Sequence, residues 1–437
     1  MNISDKPFSV CKQPVHILAK PAGPDCNLRC KYCFYLEKHA FFADENKCRM
    51  SYEVLEEYIR GYIRSQPHKN IEFAWQGGEP TLMGVDFYRR AVSLQNKYGE
   101  GRDISNSFQT NGTLLDDEWC EFLAGEKFLI GLSIDGPEEI HDRYRTYTDG
   151  RGSFDKVIRA AKLMRKHGVE YNSLTCVTRE SAYEGRKIYR FLRDNGFKFM
   201  QFIPIVERQP DDRSQELGLC LSSPPNLRDG GDSPPVMPFT VEARQYGQFL
   251  IDIFKEWMRK DIGRIFVNHF DTALSAWCGM NPGLCVYSKI CGSAVAIEHD
   301  GSVYACDHFV YPEYKRGNIM NQDMATLLSG NQQKAFGMSK ALDLPEYCQN
   351  CEVLHACNGG CLKHRFATSP EGEPGLNYLC PGFKLFFTHV GPYMQKMAEL
   401  LKEGRPASDI ANLLPRKPTT SSTGKKNKRK RKRKKKR

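Results

Sequence analysis

Cys26, Cys30 and Cys33, in the stretch Cys-Asn-Leu-Arg-Cys-Lys-Tyr-Cys, constrain this chain more than any other feature. Three thiolates at that spacing suit a four-iron cluster, which is normally held by four, so one iron is left for a small molecule. A zinc site would want a fourth Cys or His close by, and Cys11, His39 and Cys48 are poorly spaced for that role. The amino terminus has no basic region followed by an apolar one, and no apolar run reaches about 18 residues. We therefore expect a cytoplasmic protein whose 17 cysteines are reduced and serve largely as ligands, not disulfides. Thiolate-held clusters are oxygen-sensitive, which points to an anaerobic setting.

At 437 residues and 40% hydrophobic composition, the chain can bury a large catalytic core with an appended module. From about 14 to 206 it alternates β-rich and helical patterns. Strands are expected at 16–20, 71–75, 104–110, 129–135, 170–177 and 198–204, and helices at 52–65, 85–98, 117–124, 154–167 and 183–195. This is an α/β pattern whose parallel sheet is either doubly wound or curled into a partial barrel, with ligands at the strands' carboxyl ends. Residues 207–239 are rich in Pro and Gly and read as a long loop, a lid or a plain insertion. Helices are expected at 240–259, 267–279 and 383–402, around a cysteine-dense stretch with little regular structure. The net charge of +11 is concentrated in Lys425 to Arg437, where 12 residues are basic; removing them leaves about −1 for the rest. Such a block behaves as a solvated tail, and without interleaved aromatics it is a poor nucleic-acid element.

Two further motifs follow strands. After the second, Gln76-Gly77-Gly78-Glu79-Pro80 allows close ligand approach at the glycines, and Glu79 can accept from an ammonium. After the fourth, Ser133-Ile134-Asp135-Gly136 offers small polar groups for a ribose or carboxylate. The carboxy-terminal stretch carries Cys285, Cys291, Cys306, Cys348, Cys351, Cys357, Cys361 and Cys380, enough for two closed [4Fe-4S] clusters or, as the alternative, two structural zincs.

The Cys-x3-Cys-x2-Cys and Gly-Gly-Glu-Pro motifs resemble the radical S-adenosylmethionine superfamily, and the later cysteine spacing resembles its SPASM extension. The resemblance implies a partial (β/α)6 TIM-like barrel followed by a loop-rich iron-sulfur module. It divides the chain into a barrel at 1–239 with its insertion, a helical linker at 240–284, the SPASM module at 285–395, and a linker with basic tail at 396–437. It also implies three [4Fe-4S] clusters and S-adenosyl-L-methionine, whose reductive cleavage gives a 5′-deoxyadenosyl radical. By position, Tyr32 would present its backbone to adenine, Gly77 would meet the methionine amine with Gly78 and Glu79 also at the cofactor, Ser133 and Arg145 would meet the ribose or carboxylate, and Val206 the adenine. Cys285, Cys291, Cys306 and Cys361 would hold the nearer auxiliary cluster, and Cys348, Cys351, Cys357 and Cys380 the farther one.

The full motif order, with Cys306-Asp307 in it, is similar to the anaerobic sulfatase-maturating enzymes. That resemblance implies oxidation of a cysteine or serine of a sulfatase to formylglycine, with Asp307 as base and Tyr35 and Gln76 as contacts to the peptide. The implied partners are an extended sulfatase segment and an electron donor such as flavodoxin or ferredoxin. A thioether-forming SPASM peptide maturase is the runner-up, although only 25 residues precede Cys26 where such enzymes carry a leader-binding domain. A radical enzyme recruited to RNA by the tail is the alternative from another class.

Overall fold

The structure, a computed structural model, describes residues 9–42, 47–225 and 234–413. Its centre is one open sheet in which β1 (His16–Lys20), β2 (Asn70–Trp75), β3 (Asp103–Thr110), β4 (Leu129–Ser133), β5 (Glu170–Val177) and β6 (Phe199–Pro204) are neighbours in sequence order and all parallel. Each is followed by a helix: α1 (Tyr52–Ser65), α2 (Val85–Tyr98), α3 (Asp117–Gly125), α4 (Phe154–His167), α5 (Gly185–Asp194) and α6 (Ala243–Lys260). Six β/α units in this order form the partial barrel, and strands and helices begin and end within a few residues of the sequence expectation.

Local chemistry explains the boundaries. Ser51 caps α1 by accepting from Val54 N at 3.3 Å, and Asp116 caps α3 through Trp119 N at 3.0 Å. Helix α4 ends with Arg165, Lys166 and His167 in its last turn and Gly168 in the left-handed region, at φ 73°. In β1, Ile17 and Ala19 join the large apolar core, while Lys20 faces the interior cavity.

The sheet does not stop at six strands. β7 (Phe266–Val267) pairs with β6 at one edge, and α7 (Asn268–Trp277) follows it. At the other edge β8 (Ala294–Glu298) runs parallel to β1, matched from His16–Ala294 to Lys20–Glu298. β9 (Ser302–Tyr304) and β10 (Lys315–Asn318) then add antiparallel. The cysteine-dense stretch, expected to have little regular structure, thus supplies three strands as well as α8 (Met324–Ser329) and α9 (Asn331–Leu342). These strands are three to five residues long and separated by turns that carry Gly301 and Cys306, too short for a periodicity to register. The final helix α10 (Cys380–Lys402) packs on α6 and α7, so the chain's last long helix covers the barrel's sixth unit.

Of the 207–239 loop, the two described arms come together at an Arg208–Val236 bridge, and Cys220 N and Leu221 N donate to the Glu37 carboxylate at 3.0 and 2.9 Å. Gly230 and Gly231 lie outside the described residues, as does the basic tail. Among the described residues, no helix is long and apolar enough to cross a membrane.

Candidate active site

A cavity of about 270 Å³ opens among the carboxyl ends of the strands. It is lined by Lys20 after β1, Gln76 and Gly77 after β2, Asn111 after β3, Ser133 at the end of β4, Leu174 and Cys176 on β5, and Ile203 and Ile205 on and after β6. Into the same space project Cys26, Cys30 and Cys33, and Asp307 from the cysteine-dense stretch that follows the barrel. The sequence is thus gathered across roughly 280 residues into one chamber.

The loop after β2 is built to hold the triplet loop. Gly78 N donates to Gly23 O and Glu79 N to Asp25 O, both at 2.8 Å, immediately before Cys26. A Cβ on Gly78 would lie 2.0 Å from Asp25 O, so only glycine allows this approach. Gly77, at φ 124°, keeps its backbone at the cavity wall.

Glu79, expected as an acceptor for a ligand ammonium, is held here by protein donors. Its Oε1 accepts from Thr81 N (3.0 Å), Thr81 Oγ1 (2.6 Å) and Thr110 Oγ1 (2.8 Å), and its Oε2 from Asn111 N (2.8 Å). The carboxyl group is fully buried, and it stitches the β2 and β3 loops together instead of facing the cavity. Asn111 in turn donates to Cys26 Sγ at 3.8 Å and to Asn27 Oδ1 at 2.8 Å.

Arg145 lines the cavity, with its guanidinium held by Asp135 through contacts of 2.9 and 3.1 Å. The same carboxylate accepts from the Tyr32 hydroxyl at 2.5 Å and from Cys176 N at 2.9 Å. Asp135, one of the polar groups expected to hold a ribose or carboxylate, is therefore saturated by protein donors, while Ser133 still faces the cavity. Val206 lines an adjoining apolar cavity of about 110 Å³ with Phe34, Glu207, His308 and Lys363; Ile203, Ile205, Phe34 and His308 border both spaces.

Asp307 is paired with Lys20, and the Lys20 ammonium stands 3.8 Å from the centre of the Tyr35 ring. Burial works against the Asp307 charge, but Lys20, His308 and Lys363 outweigh it and hold the carboxyl below its ordinary range. The Tyr35 hydroxyl, expected to meet a peptide, donates to buried Glu298, so Tyr35 offers the cavity its ring. Gln76 is a wall residue of the same cavity. Lys20 was missed in sequence; its signal is a lysine at the inward-facing end of an otherwise apolar strand.

The eight carboxy-terminal thiols fall into two groups. Cys285, Cys291, Cys306 and Cys361 interact electrostatically with one another, and Cys348, Cys351, Cys357 and Cys380 line a separate small cavity. Burial pushes the Cys26, Cys357 and Cys361 thiols up to about 12, with neighbouring thiols adding to it. Such crowded sulfurs become thiolates only around a cationic centre, which is the behaviour of cluster ligands. His308 Nδ1 lies 3.4 Å from Cys361 Sγ, linking the first group to the active cavity.

The sequence matches the Radical SAM superfamily over residues 21–212 and the SPASM iron-sulfur cluster-binding domain over residues 285–352. A serine-type anaerobic sulfatase-maturating enzyme of Bacteroides thetaiotaomicron is 44% identical over 397 residues, 91% of this chain and 94% of that protein. The chain belongs to the anaerobic sulfatase-maturating enzymes. A second serine-type member, from Klebsiella aerogenes, is 36% identical over 86% of this chain and 85% of its own length. A cysteine-type member from Clostridium perfringens is 34% identical over 89% of this chain and its whole length. Among solved structures, native anSMEcpe with bound AdoMet and the Cp18Cys peptide superposes with a TM-score of 0.75 at 33% identity, covering 88% of this chain and 99% of that one. Streptococcus suis SuiB bound to S-adenosylmethionine, at 15% identity and a TM-score of 0.55 over 85% of this chain and 78% of its own, shares the fold.

Proposed function

We propose that Asp307 is the base with which this sulfatase-maturating enzyme oxidises a cysteine or serine of a sulfatase to Cα-formylglycine. The reaction is that of the family: the residue loses a Cβ hydrogen atom, a proton and an electron, to give the aldehyde from serine or a thioaldehyde, then hydrolysed, from cysteine. When bound, S-adenosyl-L-methionine and the three [4Fe-4S] clusters supply the hydrogen-atom acceptor and the electron sink. Cys26, Cys30 and Cys33 would hold one cluster, the group of Cys285 the nearer auxiliary cluster, and the group of Cys348 the farther one; their crowded, mutually repelling thiols suit that load.

The observation that carries the reading is the single cavity shared by the triplet and Asp307. A general base must come within hydrogen-bond reach of the proton it takes, and Asp307 stands at the chamber wall with Lys20 orienting its carboxylate. Tyr35 and Gln76 line the same wall, where an extended segment would pass, and the 207–239 arms are suited to steadying that segment. The reading includes a cytoplasmic site of action and electrons from flavodoxin or ferredoxin. Asp307→Asn in reconstituted enzyme is expected to keep all three clusters and to form no aldehyde on cysteine or serine peptides by mass spectrometry. Wild-type turnover in that variant would remove Asp307 from the role.

A further inference from the structure

Two cations are buried among the eight carboxy-terminal cysteines with no carboxylate to pair with among the described residues. Lys340 on α9 is 0% exposed and donates to the carbonyl oxygens of Cys285 and Val286, both at 2.8 Å. Its charge interacts with Cys291, Cys361 and Cys285, three of the four thiols of the nearer group. Arg365 is 1% exposed. Its Nε donates to Gly359 O at 3.0 Å and its Nη2 to Asn358 O at 3.3 Å, so it clamps the short turn that joins Cys357 of the farther group to Cys361 of the nearer one. Nη1 has no hydrogen-bond partner among the described residues, and the charge interacts with Cys348 and Cys357 on one side and Cys291 and Cys361 on the other.

An unpaired ammonium or guanidinium in a protein interior costs several kcal/mol unless an anion compensates it. Among the described residues, the anions these two face are the thiolates of the two groups, and clusters held by four thiolates are themselves anionic. Positive charge and N–H donors beside a cluster stabilise its reduced form and raise its potential. Lysine and arginine differ in what they reach: Lys340 faces one group, whereas Arg365, charged at every working pH, spans both. Other charges are less well placed. Lys384, half-buried, faces Cys380 alone, and Asp307, which opposes reduction of the nearer cluster, is already neutralised by Lys20.

We infer that Lys340 and Arg365 set the potentials of the auxiliary clusters, Lys340 raising the nearer one alone and Arg365 raising both, so that the electron leaving the substrate is drawn to the carboxy-terminal module and shared along it. The inference rests on the ligand assignment proposed above. It makes Arg365 the bridge of the electron path, since the turn it clamps carries one ligand of each cluster.

The test is an EPR-monitored redox titration of reconstituted full-length protein in which Cys26, Cys30 and Cys33 are alanine, leaving only the auxiliary signals. Lys340→Met is expected to make one auxiliary cluster at least tenfold harder to reduce, about 59 mV for one electron, and to leave the other unchanged. Arg365→Gln is expected to shift both, and Arg365→Lys, which keeps the charge, to restore most of the shift. Should Arg365→Gln fail to take up iron, Lys340→Met decides: a shift confined to one cluster supports the inference, and unchanged potentials overturn it. The ligand assignment has its own check, because Cys351→Ala must remove the signal that Lys340→Met leaves unmoved. Loss of the other signal would overturn the assignment and with it the inference, whereas correct loss with immobile potentials would overturn the inference alone.

Discussion

Glu79→Gln isolates the carboxylate that joins the triplet loop to the barrel. In the wild type, three donors converge on Oε1 and Asn111 N on Oε2. Glutamine can match one side only. With its oxygen toward Thr81 and Thr110, its amide nitrogen meets the Asn111 N–H across 2.8 Å, donor against donor. A hydrogen bond to a charged acceptor contributes about 1.5–3 kcal/mol and a buried donor left without a partner costs about 1–3, so the change is about 3–5 kcal/mol. At about 2.1 cal/mol/K of unfolding entropy per residue over roughly 400 residues, 1 kcal/mol corresponds to about 1.2 °C, giving a fall of about 4–6 °C in Tm. Calorimetry on the cluster-free protein reads this without interference from iron. Thr81→Val, which removes one hydroxyl donor and leaves the carboxylate otherwise satisfied, is the control and should lower Tm by less than about 2 °C. Because Asn111 also reaches Cys26 and Asn27, weaker binding of S-adenosyl-L-methionine to reconstituted Glu79→Gln should accompany the thermal shift. A Tm no lower than that of Thr81→Val would refute the view that Glu79 is a structural tie.

Gly78→Ala should reduce iron content by about one cluster while the auxiliary clusters remain, since its Cβ would drive Asp25 and the triplet loop away; full iron by chemical assay would contradict the geometry. Lys363→Met leaves Glu207 buried without its 2.5 Å partner and should cost about 3–5 kcal/mol in denaturant unfolding, most of it recovered in Lys363→Met with Glu207→Leu. A double variant no more stable than the single one would show that the pair is not the cause. Deleting Lys425 to Arg437 should leave aldehyde formation on a sulfatase peptide within about twofold, as expected of a solvated tail, and a larger loss would give the tail a part in catalysis.

The barrel was legible because its strands and helices have the lengths and periodicities that packing on one apolar layer demands. Strand β1 and helices α1, α2 and α4 occur at the expected residues for that reason. The triplet, the double glycine and the carboxy-terminal cysteines could be read because metal and backbone approach require those residue types at fixed intervals. Lys20, Lys340 and Arg365 could not, since a basic residue in sequence looks the same whether it is solvated or enclosed among thiols. The protein partners of Glu79 were hidden for a related reason: its motif fixes its place in the turn, but only β3, folded alongside, shows which donors claim its oxygens. The joining of β8 to β1 likewise links segments too far apart for any local pattern to reveal.

That β1–β8 seam gives the enzyme a sequence of assembly. At about 5–20 residues per second, Asp307 leaves the ribosome about 14–56 s after the triplet. Throughout that interval β1 is an open edge, with a row of unpaired N–H and C=O groups available to any stray strand. The arrival of β8 closes the edge, and the same segment then carries Asp307 to Lys20. Protection of the nascent barrel and completion of its active chamber are therefore one event, and a chain cut short before β8 would be both uncatalytic and adhesive.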